Sequence, residues 1–320
     1  MKKALKIAGY ILLALLLLIV VGALYINISG IPKYPVNLPE FRASMTPDAI
    51  DRGEKLASLL CAGCHLDHKS GRLIGKHMVD VPAEFGTIYS KNITADPEFG
   101  IGGWTDAEIL YLLRTGIKRD GYYAPPYMAK LPKMADQDID AIISFLRSGR
   151  PMVKADKTPD QEPIPSFLSK LLCRVVFKPF PMPTEAIPMP DSLDVLALGQ
   201  YLAHNLDCYS CHSADFKTND YLNPEKSAGY FGGGNKPLNE KGREVLTANL
   251  TPDPETGIGN WTEEQFIRAV KYGIKGNNEP ALQYPMLPHT QLSDHEVGAI
   301  YQYLRTIPPI KNKVERSLNL

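Results

Sequence analysis

Cysteine is scarce in this chain: 320 residues hold five, and four of them fall in two short motifs. Cys173 therefore has no intramolecular disulfide partner once the motif thiols are committed elsewhere, and reads as a small buried hydrophobe in a connecting segment. An excess of charge is missing as well, since 35 Lys and Arg balance 35 Asp and Glu. No basic stretch interleaved with aromatics stands out, which removes the case for nucleic acid as a partner. Strand-like alternation is sparse, whereas glycine (25) and proline (27) are moderately frequent. That combination favours an all-α fold whose helices are joined by long, turn-rich loops. The apolar share of 44% is enough for real cores, and the length suggests two globular units at ~100–200 residues per domain. Overall neutrality conceals an asymmetry: residues 46–150 carry 13 basic and 14 acidic side chains, but residues 191–310 carry 9 and 15.

The motif cysteines lie in Cys61-Ala62-Gly63-Cys64-His65 and Cys208-Tyr209-Ser210-Cys211-His212. Two cysteines three apart with histidine directly after form the attachment signature of a c-type haem. On a helical turn each thiol can bond a haem vinyl group, while the imidazole is close enough to face the iron. A bare Cys-x-x-Cys has other readings, a redox dithiol or half of a zinc site. Here histidine follows both pairs, the pairs recur at a long interval, and no thioredoxin-like βαβ pattern surrounds them. Two covalently attached haems c are expected.

Lys2, Lys3 and Lys6 precede residues 7–26, which carry no charge. Twenty residues make a helix of about 30 Å, the thickness of a bilayer's hydrocarbon core. The basic flank places the N-terminus in the cytoplasm and the remainder outside, consistent with haem attachment in a bacterial periplasm. A cleaved signal peptide is the rival, because Val21-Gly22-Ala23 resembles a cleavage site. The apolar run continues past it through Leu24, Tyr25 and Ile26, so residues 1–30 are read as a retained single-pass anchor in the inner membrane. Residues 31–45, with Pro32, Pro35 and Pro39, read as an extended tether. Thr46-Pro47 then opens a helix with a capping residue and a first-turn proline that runs into the first motif. Residues 198–207 lead into the second motif in the same way.

Sliding the chain against itself exposes a repeat. Residues 92–118 align with residues 249–275 at 13 of 27 identical positions, both beginning Asn-x-Thr-x-Asp-Pro-Glu. Two copies of one domain are expected, at 46–150 and 191–310. Thr105 with Glu108 and Thr262 with Gln265 form capping boxes, and Gly116 and Gly273 end the helices that they start. Each copy closes on an amphipathic helix, through Ile139, Ile142, Ile143 and Leu146 or Val297, Ile300, Tyr301 and Leu304, the latter capped by Ser293 and Glu296. Residues 151–190 contain nine prolines and read as an extended linker, with a tail at 311–320. Within the linker, residues 167–177 are apolar, with Lys170, Arg174 and Lys178 four apart. This stretch is read as a short helix covering the domain interface, with contact to a membrane surface as the alternative.

The repeat also points to a second axial ligand. Aligning Leu146-Arg147 with Leu304-Arg305 puts Met128 on Met286, each in a proline-flanked turn before the last helix. Met134, the competitor, aligns with Leu292. The iron ligands are thus expected to be His65 with Met128 and His212 with Met286. His68, His77, His204, His289 and His295 have no matched partner and read as surface or structural residues; His77 or His204 would replace methionine only if the repeat argument failed. The paired Trp104 and Trp261 could donate an indole N–H to a haem propionate or simply cover the haem face.

With these residues in place, the chain resembles the bacterial dihaem cytochromes c built from two class I cytochrome c domains. It is similar above all to the cytochrome subunits of membrane-bound alcohol and aldose dehydrogenases. Gly53-Glu54-Lys55-Leu56-Ala57 and Gly199-Gln200-Tyr201-Leu202-Ala203 match that family's helix before Cys-x-x-Cys-His, and the two Asn-x-Thr stretches match its second element. The resemblance runs from about residue 46 to about residue 308. It implies a small all-α domain in which first and last helices cross around the haem, with Gly53 or Gly199 allowing close approach to Phe145 or Tyr303. It also implies an electron-transfer protein rather than an enzyme, serving a redox partner such as a dehydrogenase, a quinol-linked complex, an oxidase or a soluble cytochrome. Those subunits usually carry three haem domains, and this chain has two motifs, which leaves the particular partner open. A dihaem cytochrome c peroxidase is the rival. It would need one iron able to open to peroxide and an acid–base residue above it, and no Phe-x-Asp-Gly-Arg-like segment occurs.

Overall fold

The computed structural model describes residues 1–276, 281–282 and 284–314, so residues 315–320 of the expected tail lie outside the described residues. Helix α1 (Lys2–Ser29) has no buried residue and is long and apolar enough to cross a membrane. The first copy follows as α2 (Pro47–Leu60), α3 (Ala62–His65), α4 (Asp106–Thr115) and α5 (Asp136–Arg147). After α6 (Phe167–Val175) comes the second copy, α7 (Val195–Asn205), α8 (Cys208–His212), α9 (Glu263–Tyr272) and α10 (Asp294–Leu304). Strand structure is slight: β1 (Gly86–Thr87) pairs antiparallel with β2 (Ile164–Pro165).

Helix starts follow their caps. Thr46 accepts from the Ala49 N–H with Pro47 in the first turn, and full capping boxes open α4, α9 and α10. Gly116 (φ 81°) and Gly273 (φ 72°) end α4 and α9 in the left-handed conformation that favours glycine. In each copy the first helix crosses the last, α2 on α5 and α7 on α10. A Cβ on Gly53 would stand 1.9 Å from the Ala141 carbonyl oxygen and 2.8 Å from Phe145 Cβ; on Gly199 it would stand 2.0 Å from the Ala299 oxygen and 2.9 Å from Tyr303 Cβ. The helices therefore meet backbone to backbone. Gly53→Ala or Gly199→Ala is expected to cost about 3 kcal/mol or more, the upper end for overpacking, because a main-chain carbonyl cannot rotate aside. A fall in the denaturant midpoint checks this.

The copies pack on one another. Lys55 Nζ of α2 pairs with Glu296 of α10 at 2.5 Å. The buried Asp138 carboxylate of α5 accepts from Tyr201 Oη of α7 at 2.6 Å and pairs with Arg52 Nε, while Tyr201 Oη accepts from the Ala135 N–H at 3.1 Å. A buried carboxylate needs such partners, so this cluster fixes how the copies meet.

Residues 31–45 run extended along the first copy and do not hang free. The Tyr123 N–H donates to Pro32 O (3.0 Å), Tyr34 N–H to Gly121 O (2.9 Å) and Ala43 N–H to Asp106 Oδ2 (3.0 Å). Ser44 gives both its N–H (2.8 Å) and its hydroxyl (2.6 Å) to Asp140.

Helix α6 forms where the apolar stretch predicts, but it does not cover the interface between the copies. It lies against the C-terminal end of α1 and the turn at Ala83–Phe85. The reason is chemical. Ser169 and Cys173 are buried, with Ser169 Oγ donating to Phe85 O (2.8 Å), while Lys170 and Arg174 reach the open carbonyls at the end of α1. Lys170 Nζ donates to Asn27 O (3.2 Å) and Oδ1 (3.0 Å), and Arg174 Nη2 donates to Ser29 Oγ (2.7 Å) and Gly30 O (2.9 Å). Cations at a helix C-terminus satisfy acceptors that the helix leaves over.

Candidate functional site

The Cys-x-x-Cys-His segments fold as single helical turns, α3 and α8, at the ends of α2 and α7. His65 Nδ1 lies 2.7 Å from Lys91 O, and His212 Nδ1 lies 2.8 Å from Ala248 O. A carbonyl only accepts, so each Nδ1 carries a proton and Nε2 bears the lone pair of the neutral ring. Burial lowers the His65 pKa although the Lys91 carbonyl raises it, which favours the neutral ring.

Those carbonyls are held by the repeated Asn-x-Thr segment. Asn92, next to Lys91, accepts at Oδ1 from the Thr94 N–H (2.9 Å) and hydroxyl (2.7 Å) and donates from Nδ2 to Asp156 O (2.9 Å) and Thr158 O (3.0 Å). Asn249, next to Ala248, accepts the same pair from Thr251 at 2.9 and 2.7 Å and donates to Ile310 O (2.7 Å). The repeated aspartates close the turn that follows: Asp96 Oδ1 accepts from the N–H groups of Glu98 and Phe99, and Asp253 Oδ1 from those of Glu255 and Thr256. One difference separates the copies. The histidine-to-carbonyl spacing is 26 residues in the first and 36 in the second.

Both motifs open into one continuous cavity of about 2090 Å³. Cys61, Cys64, His65 and Met128 line it from the first copy, and Cys208, Cys211, His212 and Met286 from the second. Trp104 and Trp261 line it too. Met128 sits in a turn closed by its own N–H on Pro125 O (3.1 Å), and the Leu287 N–H closes on Pro285 O (3.1 Å) beside Met286. Met134 lies elsewhere, fully buried in the core. The buried Arg114 of α4 braces the loop between these methionines, donating from Nη1 to Leu131 O (2.9 Å) and Met134 O (2.5 Å) and from Nη2 to Asp136 Oδ1 (2.5 Å). Lys271 on Asp294 repeats the ion pair in the second copy. Neither this brace nor the histidine-binding carbonyls are identified by motif reading alone.

The other histidines divide. His77 packs on the Tyr89 ring, and His204 sits among Tyr209, Tyr230 and Tyr303 with Nε2 hydrogen-bonded to Tyr230 Oη. His68 and His295 are exposed. His289, expected as a surface or structural residue, lines the cavity three residues after Met286, its Nδ1 on Leu287 O at 2.6 Å.

The donor set fits a covalently held haem better than the other Cys-x-x-Cys chemistries. Burial pushes the Cys61 thiol up to about 12 and Cys64 to about 11, and both Cys208 and Cys211 to about 12. A redox dithiol needs a reactive thiolate, whose pKa is lowered by its surroundings. Among the described residues no three His, Cys, Asp or Glu side chains converge as a metal cluster. What each copy does offer is two thiols one helical turn apart, a carbonyl-oriented imidazole and a thioether bordering one cavity.

A family model described as Cytochrome c matches residues 50–150 and 196–308. The chain is 29% identical over 289 residues to the cytochrome c subunit of a quinone alcohol dehydrogenase from Gluconacetobacter polyoxogenes, covering 83% of this chain and 58% of the relative. It is 29% identical over 304 residues to the fructose dehydrogenase cytochrome subunit of Gluconobacter japonicus, covering 88% and 56%. With a diheme cytochrome c-type protein of Cereibacter sphaeroides it shares 26% over 283 residues, covering 85% and 90%. The chain spans somewhat more than half the length of the two dehydrogenase subunits.

Proposed function

This chain belongs to the cytochrome c family, and we propose that it is a dihaem electron carrier held in a bacterial inner membrane by α1, with both haem units in the periplasm. Its donor would be a dehydrogenase or a quinol-linked complex, and its acceptor an oxidase or a soluble cytochrome. The observation that carries the reading is the duplicated donor set around one cavity. Haem c, once attached, supplies a one-electron iron couple, and histidine–methionine ligation raises its potential relative to more basic ligand pairs.

The chain's own residues do the rest. Cys61 and Cys64, and Cys208 and Cys211, would hold the group through thioether bonds. The carbonyls of Lys91 and Ala248 fix the rings of His65 and His212, as a partner on the second ring nitrogen does for a ligating histidine. Met128 and Met286 would each give the iron a thioether sulfur, and Trp104 and Trp261 contribute to the cavity wall. With a histidine and a methionine both held on each iron, peroxide would have no open site, and the same donor set in each copy gives no division of labour of the kind a peroxidase needs.

The test is ligand access. Under carbon monoxide the native reduced protein should change its spectrum little, and peroxide turnover should stay near background. Rapid peroxide-dependent oxidation of a donor, with one haem binding carbon monoxide stoichiometrically, would replace the carrier with the enzyme.

A further inference from the structure

Exposed large apolar side chains C-terminal to α1 are unevenly spread. Among the described residues, four of the fifteen fall within residues 164–175: Ile164 (70% exposed), Phe167 (42%), Leu168 (39%) and Val175 (62%), while Val176 beside them lines the cavity instead. Single exposed apolar residues need no explanation, but a contiguous cluster marks a surface that something covers. Helical spacing sorts α6 into three rows. Ser169 and Cys173 face inward and are buried; Leu168, Leu171 and Val175 form an apolar row at i, i+3 and i+7; Lys170 and Arg174 form a basic row.

The position of α6 says what covers the apolar row. Its basic row is bonded to Asn27, Ser29 and Gly30, where the apolar run of α1 ends, and the Arg174 guanidinium lies 5.3 Å over the Tyr25 ring. Given α1 as a spanning helix, the reading on which this inference rests, α6 is pinned at the level where α1 leaves the hydrocarbon. An amphipathic segment with adjoining apolar and basic rows at that level has the composition of an interfacial helix, and basic residues there favour anionic headgroups. We propose that α6 and the adjoining Ile164 lie in the headgroup boundary of an anionic bilayer, giving the first haem unit a second membrane contact.

Spin labels on the full-length holoprotein in nanodiscs containing phosphatidylglycerol test this. Val175→Cys reports on the apolar row of α6, Leu16→Cys on α1, and Glu264→Cys, exposed on α9, on water. The ratio of oxygen to nickel-chelate collision rates should be several-fold higher at Val175 and at Leu16 than at Glu264. A lipid-like ratio at Leu16 with a water-like one at Val175 overturns the α6 contact and leaves the anchor standing. A water-like ratio at Leu16 overturns the anchor, and this inference with it. In nanodiscs of phosphatidylcholine alone the Val175 ratio should fall while Leu16 holds; an unchanged Val175 ratio overturns the preference for an anionic surface.

Discussion

Met128→Ala and Met286→Ala should each remove about half of the long-wavelength absorption that methionine-ligated ferric haem shows, because under the proposed ligation each thioether would serve one of two irons. Both side chains border the cavity, in proline-flanked turns at matched positions of the repeat. Met134→Ala should behave differently. Its side chain is fully buried in the core, so truncation should leave the absorption intact and cost ~2–5 kcal/mol of stability, the range for emptying a buried methionine site. His289→Ala completes the series, since His289 also lines the cavity near Met286. Loss of the band in the Met134 variant would mean that the first-copy ligand is misassigned. Its retention in Met286→Ala, with a changed spectrum in His289→Ala, would move the second-copy ligand to the histidine.

The double variant Cys61→Ala/Cys64→Ala should halve the haem that survives acid–acetone extraction, measured as pyridine haemochrome per chain, and Cys208→Ala/Cys211→Ala should do the same. The parent should give two haems per chain. One haem in the parent would remove the two-site reading. Beyond the lost pigment, each variant should melt earlier, because the first and last helices of the affected copy would enclose a cavity without its filling, and apolar walls facing a void lose their packing partners.

Much of this was legible because it is local. Capping boxes at Thr105, Thr262 and Ser293 and the glycine stops at Gly116 and Gly273 act within four residues, and the structure has them where the sequence puts them. The close crossings at Gly53 and Gly199 follow from the family resemblance and appear as main-chain contacts. What stayed hidden depends on long-range return of the chain. Nothing in the motif says that Lys91 or Ala248 supplies the carbonyl for histidine, because that contact spans 26 residues in one copy and 36 in the other. The position of α6 departs from the expected one for a related reason: its composition gives an amphipathic helix, but its place is decided by Lys170 and Arg174 meeting the end of a helix about 145 residues earlier. His289 went unmarked because the repeat pairs it with Leu131, which carries no ligand chemistry.

The strapping of residues 31–45 to the first copy governs reach. Fifteen unattached residues would let the unit roam over an r.m.s. distance of about 20 Å from the end of α1. With Pro32 held by Tyr123 at one end and Ser44 by Asp140 at the other, that search radius collapses. On the proposed anchor, such a unit is no swinging arm. It would keep a fixed height and heading, and a membrane-bound partner would come to it by lateral diffusion in the plane, already facing the right way.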